Sequence, residues 1–255
     1  MIDLSGKTAV VTGGSSGNGR AICIGLARAG AKVLVADQTE VPREGGLPTT
    51  EIINSKIPDA AKFFLCDVSR VDDLERMFIA AEDLGEVDIL VNNAGILKKQ
   101  PLLEATEDVY QKMMDVNVKS VLFASQAAAR LMIPRGRGSI INIGSIAGMR
   151  GTGGFVHYNA TKGAVRLLSY ALADELGHHG IRVNVVAPGI MNTQMNIVDD
   201  QVIGTKLGES YLPMIPARRW GTAGDVADMC IFLASDMSTY VSGASHVVDG
   251  GYLRI

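Results

Sequence analysis

Thr8-Ala9-Val10-Val11-Thr12-Gly13-Gly14-Ser15-Ser16-Gly17-Asn18-Gly19-Arg20 begins as a β-branched run, turns on glycines and passes directly into helical periodicity. A strand, a glycine turn and a helix N-terminus in that order make an anion site. Glycine lets the backbone approach a ligand closely, and the first turn of the helix presents unpaired N–H groups and a positive dipole end. The spacing is GxxxGxG, not the GxGxxG of other dinucleotide folds. The same physics would seat a pyrophosphate on Gly13, Gly17 and Gly19, with Ser15, Ser16 and Asn18 beside it. Taken alone, these residues also allow a purely structural turn.

Outward from this stretch, short apolar runs alternate with segments of helical period. Strands are expected at Thr8–Thr12, Lys32–Asp37, Lys62–Asp67, Ile89–Asn92, Ser139–Ile143, Arg182–Ala187 and Ser245–Asp249. Several are apolar almost throughout, as strands buried on both faces of a parallel sheet must be. Helices are expected at Gly19–Ala29, Pro48–Lys56, Val71–Leu84, Thr106–Ile133, Tyr158–Gly177 and Ala223–Ala234. The alternation predicts an α/β fold, a doubly wound parallel sheet of Rossmann type with seven strands and helices on both faces. No repeat, charge block or linker divides the chain, so residues 1–255 read as one domain. Its cofactor part would run to about residue 145 and its catalytic and substrate part from there on. Residues 191–216, rich in Gly, Pro and Met with weak periodicity, read as a lid.

Asp37 closes the second strand, where a carboxylate can accept hydrogen bonds from both hydroxyls of an adenosine ribose. It would repel a 2′-phosphate, and neither Ser15 nor Ser16 supplies a cation, so the expected cofactor is NAD(H); Arg43 is the one nearby complication. A net charge of −3 gives no reason to expect nucleic acid or an anionic membrane as partner. No run approaches the ~20 apolar residues of a membrane span, and the first residues lack the apolar stretch of a signal peptide. Cys23, Cys66 and Cys230 are sparse and unpaired in pattern, which suits a reducing compartment; a cytoplasmic protein without a metal is expected.

With Asn92-Asn93-Ala94-Gly95 after the fourth strand, the chain resembles the short-chain dehydrogenase/reductase family. The resemblance continues in order through Asn117, Ser145, Tyr158-Asn159-Ala160-Thr161-Lys162 and Pro188-Gly189, and covers essentially the whole chain. A lone YxxxK is a weak signal; this series at these intervals is specific. The resemblance implies strand order 3-2-1-4-5-6-7 and a catalytic set of Asn117, Ser145, Tyr158 and Lys162. It implies that Asp67 and Val68 hold an adenine, that Asn92, Ala94 and Gly95 line the middle of the cofactor, and that Pro188, Gly189, Ile190 and Thr193 lie at the nicotinamide. Asn18 departs from the family, which usually has an aliphatic residue there.

The residues can do the implied chemistry. A phenol is a poor base near neutral pH, its unperturbed pKa being about 10. Lys162 lies one helical turn beyond Tyr158 and shares its face, so its ammonium is expected to lower the tyrosine's pKa. Ser145 offers a hydroxyl to the substrate oxygen. Asn117 stands mid-helix; the family's reason is a local helix distortion. His157 neighbours Tyr158, but adjacent helical residues point about 100° apart, so a packing or rim role is expected.

For the substrate, the expected lining is Ile96, Leu97, Ile146, Met149, Phe155, Met191 and Met195, with Tyr211 and Met214, beside Ser145 and Tyr158. No arginine or lysine stands in an obvious place to hold an acid, so a neutral secondary alcohol or ketone is expected. Two other readings are a 3-ketoacyl-carrier-protein reductase of the same family and a catalytically silent dinucleotide-binding scaffold. The family implies an oligomer, and a homotetramer is expected, its contacts drawn from Ala124, Ala127, Ala128, Ala164, Leu168 and Ala171.

Overall fold

The computed structural model describes residues 2–254. Seven parallel strands form one sheet in the order β3-β2-β1-β4-β5-β6-β7. They are β1 (Thr8–Thr12), β2 (Lys32–Asp37), β3 (Ala61–Leu65), β4 (Val87–Asn92), β5 (Gly138–Ile143), β6 (Ile181–Pro188) and β7 (Ser245–Val248). Among the described residues, no helix is long and apolar enough to cross a membrane.

Strand periodicity explains why the central strands are apolar throughout. Successive side chains point to opposite faces, and both faces are covered. Ala9, Val11, Val33, Val35, Ile89 and Val91 pack with Ile22 and Leu26 of α1 (Gly17–Arg28) and Val226, Cys230 and Leu233 of α8 (Ala223–Ala234). Their neighbours Val10, Leu34, Leu90 and Ile140 pack on the other face with Leu74, Met77 and Phe78 of α3 (Val71–Glu82) and with Ala124, Ala128 and Met132 of α5 (Ser120–Met132). Ala124 and Ala128 are therefore core residues of their own chain, not the interface residues expected of them; the sheet takes up their face.

The remaining helices are α2 (Thr49–Asn54), α4 (Glu107–Met114), α6 (Val156–Gly177) and α7 (Lys206–Tyr211). The helix expected over Thr106–Ile133 is interrupted. A π turn, Asp115–Lys119, separates α4 from α5. The expected irregular segment 191–216 is also more ordered than its composition suggests, with a π turn at Met195–Asp199 and α7 capped by Thr205, whose hydroxyl accepts from the Gly208 N–H at 3.3 Å.

From β1 the chain winds outward through β2 to β3, then returns to β4 on the other side of β1. At such a switch the connections leave the carboxyl ends of β1 and β4 in opposite directions and open a crevice. The carboxyl ends of the central strands meet at that crevice.

Candidate active site

A cavity of about 900 Å³ runs along the carboxyl ends of the strands. At one end lie Gly13, Ser16, Gly17, Asn18 and Asp37; Asp67 and Val68 stand beside them, Ala94 and Gly95 in the middle, and Ser145, Tyr158 and Lys162 at the far end. Pro188, Gly189, Ile190 and Thr193 also line the cavity, Thr193 beside Gly17.

The glycine turn is built for close approach. Gly17 has φ +53°, the left-handed region that favours glycine, and a Cβ there would meet only Thr193, at 3.6 Å. Gly19 does not reach the cavity: a Cβ on it would run into the Gly13 carbonyl, so its role is to let α1 start directly beneath the turn. Asn93 fastens the turn from β4, its amide donating to the Thr12 and Gly13 carbonyls at 2.9 and 3.0 Å. Ser15 is buried under the loop, and its N–H donates to Asp37 Oδ2 at 3.0 Å. It orients the carboxylate without lining the cavity. Asp37 Oδ1 accepts from the Gln38 N–H at 2.7 Å.

This end fits a dinucleotide. At the start of α1, the Gly17 N–H donates to the Glu44 carboxylate at 2.9 Å, so the helix N-terminus already holds an anionic group where a phosphate would be received. Arg43 lies next to it. Its N–H donates to Ser16 Oγ at 2.8 Å, and its guanidinium makes a two-pronged pair with Asp199, both contacts 2.9 Å. That pair ties the loop after β2 to the π turn of the 191–216 segment.

At the other end, Tyr158 and Lys162 share one face of α6, with Nζ 5.7 Å from the ring centroid. Both are buried. Lys162 Nζ donates to the Ile143 carbonyl at 2.8 Å, at the carboxyl end of β5. Burial draws its pKa down to about 8. Burial pushes Tyr158 up to about 12, against the Ser145 hydrogen bond that lowers it and with the Asp200 charge that raises it further. The expected lowering by Lys162 is thus reversed in the protein alone: the ammonium lies over the ring, is itself dehydrated and is turned to a carbonyl, so desolvation wins. Ser145 follows β5, and its Oγ accepts from the Ala147 N–H at 3.1 Å, which sets its rotamer.

Asn117 does not line the cavity. It lies in the π turn, 1% exposed, and grips the chain after β4. Its Oδ1 accepts from the Ile96 N–H at 2.8 Å, while Nδ2 donates to the Ile96 carbonyl at 2.9 Å and to Thr161 Oγ1 at 3.1 Å. It joins the loop at Gly95–Ile96 to the helix that carries Tyr158 and Lys162. Asn92 is also interior, its amide donating to Ser125 and Asn142 at 3.2 and 2.8 Å. His157 packs against Tyr110, ring centroids 6.0 Å apart.

The substrate end is more polar than expected. Ile96, Leu97, Ile146, Phe155, Met191, Met195 and Tyr211 line the cavity, but Met149 and Met214 do not: each follows a 3₁₀ turn (Ile146–Gly148, Leu212–Met214) or closes one and falls outside the wall. Cations are present after all, Lys99 and Arg150 among them. Lys99 lies 5.5 Å over the Phe155 ring, Arg150 lies 5.7 Å over the Tyr252 ring, and all four residues line the cavity. Gln194, Asn196 and Asp200 add polar groups from the segment above. Lys99 and Arg150 carried no sequence signal, because they stand in loops that only the tertiary fold brings together. Asn93 had one: it lies inside the NNAG run.

Fold and site together define a dinucleotide-binding α/β oxidoreductase with a serine, a tyrosine and a lysine at the reactive end. A family profile described as enoyl-(acyl carrier protein) reductase matches residues 13–253. Gluconate 5-dehydrogenase of Gluconobacter oxydans is 36% identical over 98% of this chain and 96% of its own length. 2-Dehydro-3-deoxy-D-gluconate 5-dehydrogenase of Escherichia coli is 37% identical, with 98% and 96% covered. The structure of a gluconate 5-dehydrogenase from Burkholderia cenocepacia in complex with NADP and tartrate superposes with a TM-score of 0.90 at 34% identity, covering 100% of this chain and 98% of that one. The chain belongs to the short-chain dehydrogenase/reductase family, and a nicotinamide dinucleotide is its class of cofactor.

Proposed function

We propose that this protein is an NAD(H)-dependent dehydrogenase that interconverts a secondary alcohol of a polyhydroxylated acid and the corresponding ketone, with Tyr158 as acid/base. The observation that carries this reading is that Ser145, Tyr158 and Lys162 face the same cavity as Asp37 and the glycine turn. A bound nicotinamide cofactor supplies the hydride chemistry. Gly13, Gly17, Asn18 and Asp37 would hold its adenosine and phosphate portions, with Pro188, Gly189, Ile190 and Thr193 at the nicotinamide. In ketone reduction the carbonyl oxygen takes its proton from Tyr158 Oη, and in alcohol oxidation it returns the proton there. Ser145 orients that oxygen and stabilises charge developing on it. Lys162 holds its positive charge close to the phenol and favours the phenolate, working against the desolvation that raises the Tyr158 pKa.

The acid in the substrate is supported by Lys99 and Arg150 in the cavity wall and by relatives whose names are those of sugar-acid dehydrogenases. It replaces the neutral alcohol expected from the sequence. NAD(H) is supported by Asp37 and by the pairing of the Arg43 guanidinium with Asp199. We take the assembly to be a homotetramer, on the exposed apolar Tyr110, Leu122 and Leu167 of α4, α5 and α6; light scattering would measure its mass.

One experiment tests the cofactor and the mechanism together. Wild-type and Tyr158→Phe enzymes are assayed with NAD and NADP on polyhydroxylated acids and on simple secondary alcohols. The expected result is at least about a tenfold preference for NAD. The Tyr158→Phe enzyme should lose about 10²–10⁴-fold in kcat while still binding NADH. An enzyme that prefers NADP would refute the role given to Asp37. A Tyr158→Phe enzyme within tenfold of wild type would refute the role given to the phenol.

A further inference from the structure

After β7 the chain turns back onto the end of the 191–216 segment. Gly250 and Gly251, with φ +64° and +92°, lie in the region that favours glycine, and a Cβ on them would crowd Ile215 at 2.8 Å and Pro216 at 3.0 Å. The Ala217 N–H donates to the Gly250 carbonyl at 3.0 Å. Asp249 fixes the turn that follows, Oδ1 accepting from the Gly251 N–H and Oδ2 from the Leu253 N–H, both at 2.8 Å. Tyr252, which opens the 3₁₀ turn Tyr252–Arg254, lines the cavity, and the Arg150 guanidinium carbon lies 5.7 Å over its ring. Arg150 belongs to the loop that carries Ser145. Its N–H donates to the Ile146 carbonyl at 3.0 Å, and Gly148 packs so closely on α6 that a Cβ there would stand 2.5 Å from the Lys162 carbonyl oxygen. Arg43, Arg135 and Arg219 each pair with a carboxylate; Arg150 pairs with none among the described residues. An arginine set on a braced ring and facing no anion is held in place without being neutralised.

We propose that Tyr252 is a positioning residue for substrate recognition: its ring holds the Arg150 guanidinium in the cavity wall, where it receives the carboxylate of the substrate. The inference rests on the acid-dehydrogenase reading above and adds the pair of residues that makes the site selective for an acid. A free arginine side chain samples many rotamers and loses that freedom when it grips a ligand. One already stacked on a fixed ring has less to lose, so it binds at lower cost. The ring face attracts the positive charge without consuming an N–H donor, and the donors stay available to hold a carboxylate in a two-pronged pair. The turn after β7, braced by Asp249, is thereby part of the substrate site.

The test assays the enzyme with NAD on polyhydroxylated acids, gluconate among them, and on the matching neutral polyols, in which a hydroxymethyl group replaces the carboxylate. The readout is the ratio of kcat/KM for acid over polyol, resolved into kcat and KM. NADH binding and a thermal melt show that each variant is folded. Arg150→Gln is expected to lower the ratio by about tenfold or more. Tyr252→Leu is expected to lower it by about three- to tenfold, the loss falling on KM for the acid, and Tyr252→Phe, which keeps the ring, to restore most of it. In the Arg150→Gln background Tyr252→Leu should lower the ratio no further, because the ring acts through the guanidinium. Should the leucine variant not fold, Tyr252→Gln, which has no ring, takes its place. A Tyr252→Leu ratio within about twofold of wild type overturns the proposal, and so does a loss that persists in full in the Arg150→Gln background. An Arg150→Gln enzyme with the wild-type ratio also overturns it and leaves the acid reading resting on Lys99. A wild type that does not favour acids overturns the acid reading together with this role, leaving the Tyr158 mechanism untouched.

Discussion

Burying the ammonium of Lys162 with the Ile143 carbonyl as its one hydrogen-bond acceptor leaves much of its lost hydration uncompensated, which is why its pKa falls to about 8. The same residue is required beside Tyr158, so here the site costs the fold stability. Below pH 8 the amine is protonated in folded and unfolded chains alike, and the full penalty applies, on the order of 3 kcal/mol. As pH rises through 8 the folded form releases its proton while the unfolded form keeps it until about 10.5, so the penalty fades across that window. Lys162→Met should therefore abolish turnover yet melt at higher temperature than wild type at pH 7, with the advantage shrinking by pH 10. Melting curves at the two pH values decide it; a Met variant less stable than wild type at pH 7 would mean that the Ile143 hydrogen bond outweighs the desolvation.

The π turn between α4 and α5 shows what an element can do that its periodicity hides. It inserts a single wider turn, so the apolar pattern on both sides still reads as one helix, and only the polar amide of Asn117, where the family resemblance implied a local distortion, marks the break. The strands were legible because burial on both faces imposes apolar runs, and the glycine turn because its chemistry is local. Asp37, Ser145, Tyr158 and Lys162 were legible for the same reason, each standing next to a recognisable strand end or helix start. What was hidden depends on contacts between distant segments: the grip of Asn117 on Ile96, the burial that reverses the shift at Tyr158, and the arrival of Lys99 and Arg150 in the cavity wall. Asn117→Ala would leave the Ile96 N–H and carbonyl without partners, costing about 1–3 kcal/mol, and would loosen the loop over the reactive end. We expect a lower urea midpoint together with a kcat/KM loss exceeding that of an Ala substitution at exposed Gln126 on α5; a stability loss with full activity would confine Asn117 to a structural role.

Across the whole molecule, the sheet order places the glycine turn and Asp37 on one side of the switch point and Ser145, Tyr158 and Lys162 on the other. The segment after β6 reaches both, through Asp199 at Arg43 and through Met191 and Met195 in the cavity wall, and so does the loop after β4, through Asn93 at the glycine turn and Ile96 at Asn117. A ligand that engages one side is therefore linked to the other through two segments of chain. The Arg43 loop carries a further feature, the Glu44 carboxylate resting on the Gly17 N–H. A cofactor phosphate received there would compete with that carboxylate for one donor at the start of one helix. Loading and unloading would then be exchange reactions, one anion arriving as another departs. Glu44→Gln should tighten NADH binding by about two- to fivefold, since a charge at a helix N-terminus is worth about 0.3–1 kcal/mol. It should also slow NADH dissociation in stopped flow. In many enzymes the release of product, not chemistry, limits turnover; in this protein a glutamate that re-seats itself would hasten departure of the cofactor, so that weaker holding gives faster turnover.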